Sequence, residues 1–315
     1  MPVSTVHWRA VHEEAANASD DTRATAHDSS AYMVQRLQAV LDTSEPTPLY
    51  HQIASVVRWE IGMGRVHIGD GLPPLRELAD ALGVNYHTAR QAYEALAADG
   101  VIEARPRTGT VIRATRPTSF WTPAGRSMSG GSPRVIAVEC NRTQADELAE
   151  DVARAFAVEA VPWLLEGYGP PPSGVLLGTS FHAAEMHDRW PDRAQDIEVI
   201  DLELDPALRL GVTTRSEAGG AGRVSVIERD LGTARALAAD VRTLLGHGFE
   251  GLTARVMEPD DWESPAPEEL ALVAPRVWDR LDWADRMHPQ LLRLPFRARP
   301  DALVKTGEAL GWNPR

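Results

Sequence analysis

Between residues 48 and 114 the apolar positions recur with helical spacing three times in succession. Ile53, Val57 and Ile61 fall every four residues with Tyr50 and Ala54 beside them, which predicts a helix over Pro48–Ile61 with one buried stripe. Gly62, Gly64, Gly69 and Gly71 end that helix and turn the chain. Leu75, Leu78, Ala79 and Leu82 follow i, i+3, i+4, i+7 between Pro73-Pro74 and Gly83, predicting a short helix over Leu75–Leu82 closed by a glycine cap. Asn85 is an N-cap for a third helix, with Ala89, Ala92, Tyr93 and Leu96 inward and Gly100 at its end. Val101–Ala104 and Thr110–Arg113 then flank Arg105-Pro106-Arg107-Thr108-Gly109, a β-hairpin pattern with a basic tip where Gly109 supplies positive φ.

The flanks are patterned differently. Residues 1–29 are polar without periodicity and are expected to form a disordered tail. Residues 30–47 hold a short helix through Met33, Leu37 and Leu41, then a linker broken by Pro46. Residues 115–133, with Pro117, Pro123, Gly125, Gly130, Gly131 and Pro133 among Ser and Thr, are a second linker. From 134 to 315 strand and helix patterns alternate. Strands are expected at Val135–Glu139, Gly174–Leu177, Ile197–Leu202, Arg223–Ile227, Leu252–Met257, Leu270–Ala274 and Leu291–Leu294. Helices are expected at Ala145–Ala157, Ala183–Trp190 and Thr233–Leu245, and a mobile Gly-rich loop at Thr213–Gly222. This alternation predicts an α/β domain with a mostly parallel sheet covered on both faces. No tandem repeat of fixed period is visible.

Two short helices joined by a tight turn form a helix-turn-helix, whose second helix lays its first residues against base edges in the major groove. His87, Thr88, Arg90, Gln91 and Glu94 face outward there, and Tyr86, His87 and Thr88 can reach phosphates or bases; arginine suits guanine and glutamine suits adenine. The hairpin is a wing, and Arg105 and Arg107 suit a narrow minor groove or its phosphates. The chain of 315 residues carries a formal net charge of -13. The winged segment is neutral by count, so its contacts with DNA must rest on placed arginines, and the acidic remainder is expected to repel DNA and orient the molecule.

Pro48-Leu49-Tyr50-x-Gln52-Ile53, Leu72-Pro73-Pro74-x-Arg76-Glu77-Leu78-Ala79, Leu82-Gly83-Val84-Asn85-x-x-Thr88, Ala92-Tyr93-x-x-Leu96 and the Thr108-Gly109-Thr110 wing together resemble the GntR family of bacterial regulators. The resemblance covers about a fifth of the chain. It implies a homodimer on a palindromic double-stranded DNA operator, read by Arg76, the start of the third helix and the wing. With the outward residues above, the expected DNA-binding set is Arg76, Asn85, Tyr86, His87, Thr88, Arg90, Gln91, Arg105, Arg107, Thr108, Gly109 and Thr110. Pro74 stands where Ser is usual and Tyr86 where Arg often contacts DNA, so operator sequence does not transfer. In such regulators the second domain commonly senses a small molecule. An aminotransferase-type domain needs a longer chain and a Schiff-base lysine, for which Lys305 is the only candidate. A chorismate-lyase-like domain is mostly antiparallel. The pattern instead resembles a Rossmann-like or periplasmic-binding-protein-like α/β sensor.

Ligands of open α/β sheets sit beyond the carboxyl ends of the strands. The candidate effector residues are therefore Glu139, Asn141, Thr179, Ser180, His182, Arg229, Thr233 and Arg276, with Arg229 and Arg276 as a clamp for an anionic effector. Thr179, Ser180 and Thr233 also fit as ordinary helix caps. Trp163 and Trp278 are candidate pocket walls. His182-Ala-Ala-Glu-Met-His187 spaces its histidines by five rather than the four that share a helix face, and there is no Gly-x-Ser-x-Gly elbow. Cys140 is the only cysteine, which excludes an internal disulfide and a multi-cysteine zinc site. No catalytic residue, metal or cofactor is expected. Absence of a long apolar run or signal core points to a cytoplasmic protein without a membrane span. The expected function is a ligand-responsive transcriptional repressor. The alternatives are an α/β enzyme or scaffold using the winged helix for partner binding, and constitutive DNA binding with the α/β domain serving dimerisation.

Overall fold

The computed structural model describes residues 29–44, 47–106, 108–113, 134–167, 169–219, 223–246, 252–257, 262–266 and 268–315. The expected tail up to residue 28, the whole 115–133 linker and the wing-tip Arg107 lie outside these residues.

Helix α1 (Ser29–Val40) buries Met33, Leu37 and Val40. Helices α2 (Leu49–Gly62), α3 (Leu75–Leu82) and α4 (Tyr86–Ala98) follow the apolar stripes to within a residue or two. The tight turn is set by two residues. Gly83 adopts φ 64°, which a Cβ would strain, and Asn85 accepts a hydrogen bond from the His87 amide at 2.8 Å. The buried Tyr93 hydroxyl donates to the Pro73 carbonyl at 2.7 Å, tying α4 to the entry of α3. Strands β1 (Ile102–Arg105) and β2 (Gly109–Ile112) form the antiparallel wing, and Gly71 bridges to Val111 as a third edge.

The rest of the described chain forms two lobes with the same strand order. The first holds β3 (Arg134–Glu139), α5 (Arg142–Ala155), β4 (Glu159–Leu164), β5 (Val175–Thr179), α6 (Ala183–Arg189) and β6 (Ile197–Ile200), in a parallel sheet ordered β4-β3-β5-β6. The chain then runs through β7 (Leu202–Leu204) and α7 (Ala207–Gly219) into the second lobe. That lobe holds β8 (Arg223–Glu228), α8 (Leu231–Leu245), β9 (Thr253–Val256), β10 (Glu269–Val273), short helices α9 (Pro275–Trp278) and α10 (Trp283–Arg286), and β11 (Leu291–Arg293). Its parallel order is β9-β8-β10-β11. Strand β12 (Phe296–Ala298) returns antiparallel to β7, and α11 (Pro300–Leu310) follows. Because β7 and β12 cross between the lobes, α7 packs on β10 of the second sheet and α11 on β6 of the first. Each half of the chain thus finishes the other half's lobe.

Several expectations are corrected. Thr213–Gly222 is no loop as far as Gly219: α7 forms because Leu208 and Val212, one turn apart, bury against the second sheet. The expected strand Ile197–Leu202 breaks at Asp201, where the chain leaves the first sheet for β7. The single expected sheet is two sheets of repeated topology. Strands β4 and β12 and helix α11 were not expected at all. The main apolar cluster joins α1, the winged helix and α8 without a gap, through residues such as Leu37, Ile53, Val57, Leu237 and Val241.

Candidate nucleic-acid interface and interlobe cleft

The start of α4 and the second position of α3 point away from the core. Arg76, Asn85, Tyr86, His87 and Gln91 are exposed, while Thr88 and Arg90 are half-buried. Arg90 lies along the outer face, its Nη2 3.3 Å from His87 Nδ1 and its Nε 3.6 Å from Glu94. Beside this helix the wing presents Thr108 and Gly109, with φ 90° at Gly109, and a half-buried Thr110. Arg105 is paired with Glu103 at 2.5 Å, so its charge is partly spent within the wing. Among the described members, the expected set lies exposed or half-buried on α3, the turn, α4 and the wing.

The opposite side of the winged helix is docked on both lobes. Helix α2 packs along α8, and Gly232 allows the close approach: a Cβ there would lie 2.8 Å from the Gln52 carbonyl oxygen. On the first lobe, Phe181 lies flat on Gly62 and packs against Trp59 at a centroid distance of 5.5 Å, while Gly64 abuts Asp201. A charged knot backs this dock. Fully buried Glu60 accepts from Arg36 Nε at 2.7 Å, Arg65 Nε at 2.5 Å and the Tyr32 hydroxyl at 2.5 Å. Asp240 of α8 accepts from the same two guanidiniums at 2.7 and 2.9 Å and from Trp59 Nε1 at 2.7 Å. Burial alone would raise the Glu60 pKa; the Arg65 and Arg36 charges and the hydrogen bonds outweigh it and hold it below the ordinary value.

A cleft of about 1230 Å³ opens where the carboxyl ends of both sheets face the back of the winged helix. The lobes contribute equivalent positions. Glu139 and Glu228 end the first strand of each lobe, and both are buried. Asn141 and Asp230 cap the next helices, accepting from Gln144 and Thr233 amides at 2.9 and 2.8 Å. His182 and Arg276 follow the third strand of each lobe. The winged helix adds Ser55, Arg58, Trp59 and the end of α4 to the wall.

Of the candidate effector residues, Glu139, Asn141, Thr179, Ser180, His182, Thr233 and Arg276 line this cleft. Arg229 does not, so the two-arginine clamp is not assembled. Thr233 is not the cap expected of it: Asp230 caps α8, and the Thr233 hydroxyl donates to that cap at 2.9 Å. Trp163 and Trp278 are absent from the lining, and Trp59 stands there instead. His182 Nε2 is 3.3 Å from Glu139 Oε2, and Nδ1 is 3.7 Å from Glu185 Oε2. Burial would lower the His182 pKa, but hydrogen bonds with Cys140, Glu139 and Glu185 outweigh it and raise the pKa well above the usual imidazole value. Burial raises the Glu228 pKa. Glu228, Asp201 and Phe181 carried no sequence signal; the position of Glu228, at a strand end equivalent to that of Glu139, would have marked it once the repeat was known.

This arrangement of α2–α4 and the β1–β2 hairpin is a winged helix-turn-helix. Residues 49–112 match the family described as bacterial regulatory proteins, gntR family, and the chain carries a domain of that family. The chain is 32% identical over 116 residues to the probable rhizopine catabolism regulatory protein MocR of Rhizobium meliloti, covering 35% of this chain and 24% of that protein. It is 32% identical over 162 residues to the vitamin B6 salvage pathway transcriptional repressor PtsJ of Salmonella typhimurium, covering 51% of this chain and 35% of that protein. Among solved structures, YtrA from Sulfolobus acidocaldarius, a GntR-family transcription factor, is 38% identical over 24% of this chain and 63% of that chain, with a TM-score of 0.23. The matched regions span about a quarter to a third of the two curated relatives. No described helix is long and apolar enough to cross a membrane.

Proposed function

We propose that the chain is a cytoplasmic transcriptional repressor that binds a palindromic double-stranded DNA operator as a homodimer, and whose affinity is set by a small molecule in the interlobe cleft. The observation that carries the DNA half is the exposed start of α4, with Tyr86, His87, Arg90 and Gln91 beside Arg76 and the wing, on a gntR-type domain. Arg90 and Gln91 read base edges; Arg76 and the wing hold the register on phosphates. The two-lobed α/β module is periplasmic-binding-protein-like in this proposal. Its support is the repeated strand order, the two crossing strands and the cleft at the strand ends. Ligand in that cleft touches the back of the winged helix and so changes the spacing of the two recognition helices of a dimer, which must match about one DNA turn.

The first half is tested by mobility shift with DNA upstream of the chain's own gene at several salt concentrations. A specific shift that weakens steeply with salt is expected; no specific shift, with a flat salt response, refutes it. The second half is tested by thermal shift against small acids, sugars and phosphates, where a true ligand raises stability by mass action. Stability unchanged across the panel, with DNA binding intact, favours constitutive binding.

A further inference from the structure

We propose that Glu139, Cys140 and His182 form a binding site for one divalent transition metal of the zinc class at the floor of the cleft. The proposal rests on the cleft being a ligand site and is independent of DNA binding.

Three observations meet here. The first is donor geometry. A carboxylate oxygen, the thiol sulfur and an imidazole nitrogen of these residues all lie within 4.8 Å of one another. Tetrahedral zinc with bonds of about 2.0–2.3 Å places its donors roughly 3.3–3.8 Å apart, so about 1 Å of side-chain movement closes the site. The backbone is already fixed, because Glu139 and Cys140 leave β3 where its neighbour β5 delivers Thr179 and then His182.

The second is an unmet need. Glu139 is 3% exposed, and its Oε1 has no hydrogen-bond partner. The hydroxyl of Thr179, the next position along the same strand register, is also buried without a partner. Buried polar atoms in a native interior are nearly always paired, so an orphan on a cleft wall marks a place where something binds.

The third is the surrounding support. Glu185 Oε2 stands 3.7 Å from His182 Nδ1, while Nε2 faces Glu139, so a small closure would let Glu185 accept from Nδ1 and orient Nε2 toward the metal position. The Asn141 side-chain amide lies 3.8 Å from Cys140 Sγ and donates to it. A sulfur, nitrogen and oxygen donor set suits zinc, cobalt or nickel, whereas magnesium and calcium require oxygen ligands. Three protein ligands leave the fourth position open to the cleft. The second lobe repeats Glu139 as Glu228 but has Arg229 and Arg276 where the first has Cys140 and His182. The second lobe therefore does not repeat the site.

The test is a titration of the full-length, metal-free protein with Co²⁺. A sulfur-to-cobalt charge-transfer band should appear with the intense visible bands of four-coordinate cobalt, saturate at one equivalent and be displaced by Zn²⁺. Cys140→Ser should abolish the charge-transfer band. His182→Gln should weaken Zn²⁺ binding at least tenfold, and Glu185→Gln should weaken it by about tenfold through the orientation of the imidazole. Far-UV circular dichroism checks the fold of each variant, and the two ligand variants substitute for one another if either fails to fold. Absence of the charge-transfer band, or Co²⁺ binding unchanged in Cys140→Ser and His182→Gln, overturns the proposal. Mobility shift on the same metal-free protein reports DNA binding separately, so failure of the metal site and failure of the DNA interface are distinguishable.

Discussion

Replacing Gly62 by alanine sets two opposing effects against each other. Gly62 is the last residue of α2, and alanine there gains about 0.5–1 kcal/mol of helix stability over glycine. The added Cβ, however, would stand 2.1 Å from Phe181 Cε1 and 2.2 Å from Cζ, so the ring must leave. Leaving forfeits the contact with Trp59, worth about 0.5–1.5 kcal/mol. It also loses part of the ring's burial: Phe181 is already 38% exposed, so the loss is about 1–2 kcal/mol. The expected sum is a net destabilisation of about 1–2 kcal/mol in the native background. In a Phe181→Ala background the obstruction is gone, and Gly62→Ala should then stabilise by about 0.5–1 kcal/mol. The assay is equilibrium urea unfolding of the four proteins of this cycle, which isolates a coupling of about 1.5–3 kcal/mol between residues of two different modules. The same sign for Gly62→Ala in both backgrounds would show that Phe181 does not cover α2 in solution, and would remove the dock between winged helix and first lobe.

Glu60→Gln should cost about 3–5 kcal/mol in the same assay, because it strips a fully buried carboxylate from Arg36 and Arg65. The lowered Glu60 pKa also fixes a pH dependence: its stabilisation is present above the unfolded-state value of about 4.3 and is lost as pH falls toward the folded-state value. Urea midpoints measured from pH 7 downward should show that acid limb, and Glu60→Gln should flatten it; an unchanged limb in the variant assigns it to other carboxylates. Gly83→Ala should destabilise by about 1–2 kcal/mol, since φ 64° forces a Cβ into the left-handed region; melting temperature checks this, and no loss would place the turn elsewhere. Arg90→Ala should lower affinity for a specific operator by roughly 5- to 150-fold, corresponding to about 1–3 kcal/mol, while leaving non-specific binding nearly unchanged; equal loss on all sequences in mobility shift contradicts base reading.

The winged helix was legible because its determinants are local. Gly83 and Asn85 act within a few residues of their own positions, and the stripes of α2, α3 and α4 need only helical period to be seen. The two lobes were not, because their determinants are distant. Strand β4 carries Pro162, which ordinarily argues against a strand; it is tolerated because β4 is an edge of its sheet. Strands β7 and β12 are three residues each and exist only because they pair with one another across the lobes. Helix α7 was hidden by the Gly-rich sequence Gly219-Gly220-Ala221-Gly222 at its end. The cleft residues followed from the rule that ligands sit beyond strand ends, but that rule does not give side-chain direction. Arg229 donates its amide to the buried Glu228 carboxylate and does not line the cleft. The knot of Glu60 and Asp240 had no signal at all, since Arg36 and Asp240 come from distant parts of the chain, Arg65 sits beyond the end of α2 from Glu60, and each looks like an ordinary surface charge.

The double dock limits how the three bodies can move. Among the described residues the chain crosses between the lobes through the two short strands β7 and β12, the kind of crossing about which lobes rotate, and two side-chain bridges, Thr143 to Asp279 and Arg293 to Glu147, must open if they do. The winged helix is held to the second lobe by α2 on α8 and by the Arg36, Arg65 and Asp240 contacts, which are half-buried and charged. It is held to the first lobe by Phe181 on Gly62 and Asp201 against Gly64, contacts that are fewer and partly exposed. A rigid body fixed to two lobes cannot follow both when the angle between them changes. The weaker attachment must yield, and it lies at Phe181, the residue immediately before His182 in the cleft. A change in lobe angle is therefore expected to carry the winged helix with the second lobe and to open the seam at Phe181. In such a motion the Gly62–Phe181 coupling should fall toward zero, while the Glu60–Asp240 knot keeps its full contribution. Repeating the Gly62/Phe181 cycle with saturating cleft ligand measures this directly, and an undiminished coupling would place the moving seam on α8 instead.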